Sequence, residues 1–131
     1  HCNINGTVIN SIIFPGVFIG EKTVVRDSII LPAARIGTGA RITRTIVDER
    51  TDFGEDSDYL NIGDGCAVGE EREGLKNNDF PRSLFGSVTL IGKDCRIPDN
   101  SRIGGACYVA SGLGAEYFDK NRALYDGLSV T

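Results

Sequence analysis

Three consecutive stretches of this chain lie one above another in rows of 17 with their columns in agreement: residues 8–24 (VINSIIFPGVFIGEKTV), 25–41 (VRDSIILPAARIGTGAR) and 42–58 (ITRTIVDERTDFGEDSD). Ser11, Ser28 and Thr45 share a column, as do Ile12, Ile29 and Ile46, then Ile13, Ile30 and Val47, and finally Gly20, Gly37 and Gly54. Along the rows, apolar residues recur in steps of five or six at Val8, Phe14, Ile19, Val25, Leu31, Ile36 and Ile42. A second run steps by six through Ile91, Ile97, Ile103 and Val109. An apolar lead, then Gly or Pro, then a small residue four places after the lead is the hexapeptide pattern of a parallel β-helix. Three strands of about five residues each make a triangular coil, its leading aliphatic side chains inside the prism and Gly, Asn or Asp permitting the corners. Coils stack about 4.8 Å apart, so equivalent residues form ladders down each face. An α-helical reading fails, because i, i+3, i+4 spacing does not recur and Pro15, Pro32 and Pro98 fall within the pattern.

Composition narrows the function. Glycine is 17 of 131 residues, against the roughly 7% usual in proteins, which suits a chain of corners. A net charge of -4 counts against a nucleic-acid partner. No run approaches the ~18 apolar residues of a membrane helix, so no membrane partner is expected. The single histidine is His1, outside the coils, which counts against a self-standing hexapeptide acyltransferase with a His base and a γ-type carbonic anhydrase with a His-held zinc. Of the four cysteines none forms a C-x-x-C pair. Cys66, Cys95 and Cys107 each follow an isoleucine by four, the place that Thr23, Ala40 and Ser101 take elsewhere, so they read as reduced, small fillers of the prism. No catalytic residue and no metal ligand is assigned. With no Met in the chain, His1 is not a translation start, and a piece of a longer protein is expected.

The repeat breaks twice. Ile62-Gly63 and Val68-Gly69 keep hexad character, but residues 70–83 (EEREGLKNNDFPRS) are polar and without period and must leave the coil. Beyond Val109, residues 114–128 (GAEYFDKNRALYDGL) space Tyr117, Phe118, Leu124, Tyr125 and Leu128 as a short amphipathic helix would, predicting a cap on the last coil. The expected organisation is one domain, with coils over 1–69 and 86–112, a loop over 70–85 and a C-terminal cap over 113–131. The rows also place Arg44 beside Asp27 and Arg35 beside Asp52, as cross-coil ion pairs.

Residues 6–20 (GTVINSIIFPGVFIG), 24–42 (VVRDSIILPAARIGTGARI), 45–54 (TIVDERTDFG) and 87–104 (SVTLIGKDCRIPDNSRIG) closely resemble the C-terminal domain of ADP-glucose pyrophosphorylase, glucose-1-phosphate adenylyltransferase. The resemblance implies an all-β fold, a left-handed parallel β-helix. It implies a cytoplasmic parent enzyme, plastid in a plant, that makes ADP-glucose and pyrophosphate from ATP and glucose 1-phosphate for glycogen or starch synthesis. Catalysis and Mg2+ then belong to an N-terminal domain outside this chain, leaving no cofactor here. That catalytic domain, other subunits of a homo- or hetero-tetramer and anionic small-molecule effectors are the implied partners. Effector anions need Lys as a point charge or Arg as a fork, and the matching positions are Lys93 in IGKDCRIP, Arg82 in FPRS and Arg44 ahead of the I-V-D corner. The chain departs from the family at Glu49, followed by Arg50, where many effector-regulated members carry Lys. The other reading is a purely structural assembly domain of another sugar-phosphate nucleotidyltransferase, since base and sugar are chosen elsewhere.

Overall fold

The computed structural model describes residues 2–51, 59–84, 86–114, 118 and 123–131. Strands of two or three residues alternate with turns and wind into a parallel β-solenoid of about seven turns, the left-handed β-helix of hexapeptide repeats. The first face holds β1 (Asn3–Ile4), β4 (Phe18–Ile19) and β7 (Arg35–Ile36), continued by single bridges at Ile62 and Ile97. The second holds β2 (Thr7–Ile9), β5 (Val24–Arg26), β8 (Arg41–Thr43), β10 (Ala67–Val68), β12 (Arg102–Ile103) and β14 (Ala123–Leu124). The third holds β3 (Ile12–Ile13), β6 (Ile29–Ile30), β9 (Thr45–Val47), β11 (Thr89–Ile91), β13 (Tyr108–Val109) and β15 (Ser129–Val130).

Because side chains alternate across a strand, each face sends one ladder inward. Ile19, Ile36, Ile62 and Ile97 line the first face, Val25, Ile42, Val68 and Ile103 the second, and Ile30, Val47, Ile91 and Val109 the third, all buried. Each such side chain stabilises the fold by about 1.5–3 kcal/mol. On the third face the inward residues are Ile13 and Ile30, one place before Phe14 and Leu31, which the hexad count put inside. Phe14 is 37% exposed. A slip of one residue reverses every side chain of a strand, and the true steps run Val8, Ile13, Ile19, Val25, Ile30, Ile36.

Side-chain oxygens hold the corners. The Ser28 amide donates to Ser11 Oγ at 3.0 Å and the Thr45 amide to Ser28 Oγ at 3.1 Å, while each of these hydroxyls donates to the carbonyl two residues before it. The residue ahead of each takes a left-handed backbone: Asn10 at φ 48°, Asp27 at 52° and Arg44 at 45°. Asn and Asp accept that conformation readily, and Arg at a cost of roughly 1 kcal/mol or more. The small inward positions four places after an apolar lead take Thr23, Ala40, Cys66 and Ser101 at the corner between the first and second faces, Cys95 between the third and first, and Cys107 between the second and third, all buried as the sequence predicts. The three thiols there donate to carbonyls of the next coil: Cys66 to Pro98, Cys95 to Ala110 and Cys107 to Tyr125. Burial pushes all three above the ordinary thiol range.

The predicted C-terminal helix is not the structure of its described residues. Ala123–Leu124 pairs with β12 and Ser129–Val130 with β13, so the chain makes another coil there. Phe118, Leu124 and Val130 step by six, and Phe118 joins the core at 3% exposure. The hexad had resumed after an insertion, and the apparent helical spacing was its by-product. Residues 115–117 and 119–122, also within the predicted helix, lie outside the described residues.

Candidate functional site

Residues 70–84 leave the second face after β10 and form a strap along the corner between the second and third faces. Its acidic head is tied down by cations of earlier coils: Glu71 pairs with Arg26 at 3.0 Å and Glu73 with Arg44 at 3.6 Å, while Arg72 pairs forward with Asp126. Its middle is pinned by Asn77, which is fully buried. Asn77 Nδ2 donates to the Ala106 carbonyl and to Ser129 Oγ, both at 3.0 Å, and its Oδ1 accepts the amides of Asp79 and Phe80 at 2.9 Å. The far end lays Phe80 edge-on to Tyr108, with centroids 5.6 Å apart, around an apolar recess of about 260 Å³ lined also by Leu84 and Leu90.

The three bases singled out from the sequence do not converge. Lys93 follows β11 at an outer corner, Arg44 precedes β9 at the opposite corner of the same face, and Arg82 sits on an exposed turn of the strap. Lys93 Nζ lies 3.0 Å from Glu49 Oε1. Glu49, by hydrogen bond and by charge, with Asp48 and Asp94 adding to it, holds the Lys93 ammonium above its usual range. The departure from the family pattern at Glu49 therefore supplies Lys93 with its own counter-ion. Asp94 accepts both the amide and the hydroxyl of Thr51 at 2.6 Å.

Arg44 pairs with Glu73 rather than with Asp27, whose carboxylate accepts Asn10 Nδ2 at 2.7 Å. Row alignment could not have shown this, because the strap supplies the nearer carboxylate. The proposed partner of Arg35, Asp52, lies outside the described residues; Arg35 stacks on the Phe18 ring at 5.3 Å. Arg50 and Arg96 both lie over the Tyr59 ring, at 5.0 and 3.9 Å from its centroid.

Sequence reasoning missed a different pair of cations. Arg41 and Arg102 both pair in register with Ala67 on the second face and both are exposed. The signal lay in the repeat, but Arg102 falls beyond the first three rows, after the strap has broken the spacing.

A stack of coils with inward aliphatic ladders, buried small residues at its corners and hydroxyl-capped turns defines a hexapeptide β-solenoid. The sequence matches the family described as GlmU-like, C-terminal hexapeptide over residues 1–91, and the chain belongs to that family. It is also similar to proteins named glucose-1-phosphate adenylyltransferase. One from Acetivibrio thermocellus is 29% identical over 117 residues, 89% of this chain and 25% of that protein. One from Desulforamulus reducens is 30% identical over 113 residues, 86% of this chain and 25% of that protein. One from Novosphingobium aromaticivorans is 34% identical over 93 residues, 70% of this chain and 20% of that protein. The chain spans about a quarter of the length of the first two of these relatives. Among the described residues no helix is long and apolar enough to cross a membrane.

Proposed function

We propose that this chain is the non-catalytic solenoid domain of a cytoplasmic glucose-1-phosphate adenylyltransferase, serving subunit assembly and contact with anionic effectors. The observation that carries the reading is the match, over most of this chain, to about a quarter of enzymes bearing that name. Adenylyl transfer from ATP to glucose 1-phosphate, with its Mg2+, is assigned to the rest of the parent. Assembly has a surface suited to it. Ile12, Ile29 and Ile46 run in register along the outer third face, with Phe14 and Leu31 beside them. The strap covers the other half of this apolar stripe, at Leu90 and Tyr108, and leaves Ile12 at 58% exposure.

Effector contact is assigned first to Lys93. Glu49 competes with an anion for this ammonium, so response at this corner is weak as built and strengthens when that carboxylate is removed. Arg82 is exposed on the strap with no ion pair among the described residues, and Arg44 is held by Glu73.

The parent enzyme is the test. ADP-glucose formation from ATP and glucose 1-phosphate, measured with and without a sugar-phosphate effector, should be present and should become more effector-sensitive in Glu49→Gln. Absence of transfer sinks the enzyme reading. Transfer with an effector titration indifferent to both Glu49→Gln and Lys93→Ala removes the corner and leaves assembly alone.

A further inference from the structure

The outer second face carries a groove apart from the proposed effector corner, bordered by the head of the strap at Glu70 and Glu71. Two clefts, of about 420 and 520 Å³, share Ala67, Gly69 and Glu70 and run into one another across β10. Arg41 stands on one side and Arg102 on the other, each in register with Ala67, so their Cα atoms are two strand spacings, roughly 10 Å, apart. An extended arginine spans more than half that distance, so both guanidinium forks can close over the small Ala67 side chain.

Charge decides what they close on. The carboxylates beside the groove are engaged: Glu71 with Arg26 at 3.0 Å, and Glu70 with the amides of Glu71 and Arg72 at 2.9 and 3.4 Å. Asp126, in the second cleft, pairs with Arg72 and accepts the Gly105 amide at 2.8 Å. Among the described residues Arg41 and Arg102 have no partner for their guanidiniums. Arg41 lines the first cleft and Arg102 the second, one on each side of Ala67; two guanidinium forks so placed suit the oxygens of a tetrahedral oxyanion, which each can grip with paired hydrogen bonds. The second cleft continues past Ala123 and Leu124 to Tyr125, an exposed ring at 71%.

The geometry points to a phosphoryl-binding site on the second face, in which Arg41 and Arg102 clamp the phosphoryl group across Ala67 and Tyr125 carries the organic part of a phosphorylated small molecule. The site is separate from the Lys93 corner and stands whether or not the parent is an adenylyltransferase.

Calorimetric titration of this chain with inorganic phosphate, and in parallel with a hexose monophosphate, tests it. Saturable millimolar or tighter binding of both is expected. Arg41→Ala and Arg102→Ala should each weaken it by about tenfold, equivalent to about 1.4 kcal/mol. Arg41→Lys should recover part of the loss, because a point charge replaces a fork. Tyr125→Ala should weaken the hexose phosphate and leave inorganic phosphate unchanged, which separates a site for phosphorylated metabolites from one for the free anion. Lys76→Ala, at an exposed strap lysine that lines neither cleft, should change neither. No saturable binding, or binding that Lys93→Ala removes and the two arginine substitutions spare, overturns the proposal. All these positions are exposed, and circular dichroism of each variant shows whether the fold is retained.

Discussion

The leading coils, residues 8–47, and the trailing coils that follow solve one packing problem with different lengths of chain between partners. In the leading coils equivalent residues stand 17 apart, as in the Ser11–Ser28 and Ser28–Thr45 contacts. In the trailing coils the separation becomes 26 at Thr38–Asp64, 35 at Asp64–Asp99 and 21 at Gly105–Asp126. The inward ladders nevertheless continue without a gap, through Val68, Ile91, Ile103 and Val109. What the fold requires is therefore register between inward residues, and any length of chain can be inserted where it leaves and re-enters at a corner. The leading coils close those corners with repeated hydroxyls, which Thr89 continues in the trailing coils, where asparagines, Asn61 and Asn77, join them.

The largest effect that would break the comparison sits at a trailing corner. Gly69 has φ +93°, and a Cβ there would overlap the Thr43 carbonyl. Gly69→Ala should destabilise by more than about 4 kcal/mol in denaturant unfolding. At the leading corner Gly39, φ +70°, a Cβ meets nothing within 4 Å, so Gly39→Ala should cost only the left-handed strain, roughly 1–2 kcal/mol. Equal losses at the two glycines would mean that the trailing corner relaxes.

Core truncation sharpens the point. Ile30 and Ile91 are both fully buried, one in each region. Ile30→Ala and Ile91→Ala should each cost about 3–4 kcal/mol; a much smaller loss at Ile91 would show trailing coils packed more loosely than their ladder. Corner chemistry comes next. Asn77→Ala strands the two amides and the carbonyl that it serves and should cost about 2–3 kcal/mol, with amide exchange quickened along the strap. Ser28→Ala should cost about 1 kcal/mol.

The smallest effect separates the regions by pH. At the small inward position the leading coils use Thr23 and Ala40, while three such positions in the trailing coils hold thiols that burial keeps above their ordinary range. A raised native value means that the folded state keeps protons the unfolded state releases. Stability is therefore full below the ordinary thiol range and falls as pH climbs through it toward the native values. Thermal melts taken into that alkaline window should fall more steeply for the natural chain than for a variant with Cys66, Cys95 and Cys107 all replaced by Ala.

Much of this was legible in the sequence where contacts are local. Three rows of 17 specify the coil and its corners, and the place four after an isoleucine lead specifies the burial of Cys66, Cys95 and Cys107. The third-face phase was misread, because Ile12, Ile13 and Phe14 are all apolar and only the pleat says which one faces in. The last coil was misread because an insertion shifted Phe118, Leu124 and Val130 out of step with what preceded. The strap's path was not legible at all: Arg26, Arg44, Ala106, Asp126 and Ser129 lie on different coils, and no spacing rule joins them. At the candidate site, position and partner differed in visibility. Lys93 falls at a corner as its motif implies, and Glu49 was noticed as a departure, but their 3.0 Å contact depends on two coils stacking across an insertion.

Asn77 sets an order of events. A growing chain emits Asn77 long before Ala106 and Ser129, the second of which lies 52 residues further on. The leading coils, joined by short and repeated separations, can stack as they appear. The head of the strap can pair early with Arg26 and Arg44, but Asn77 in its middle lacks its Ser129 partner until the final coil stands, so closure of the middle is a late step of folding and the release of Asn77 an early step of unravelling from the C-terminal end.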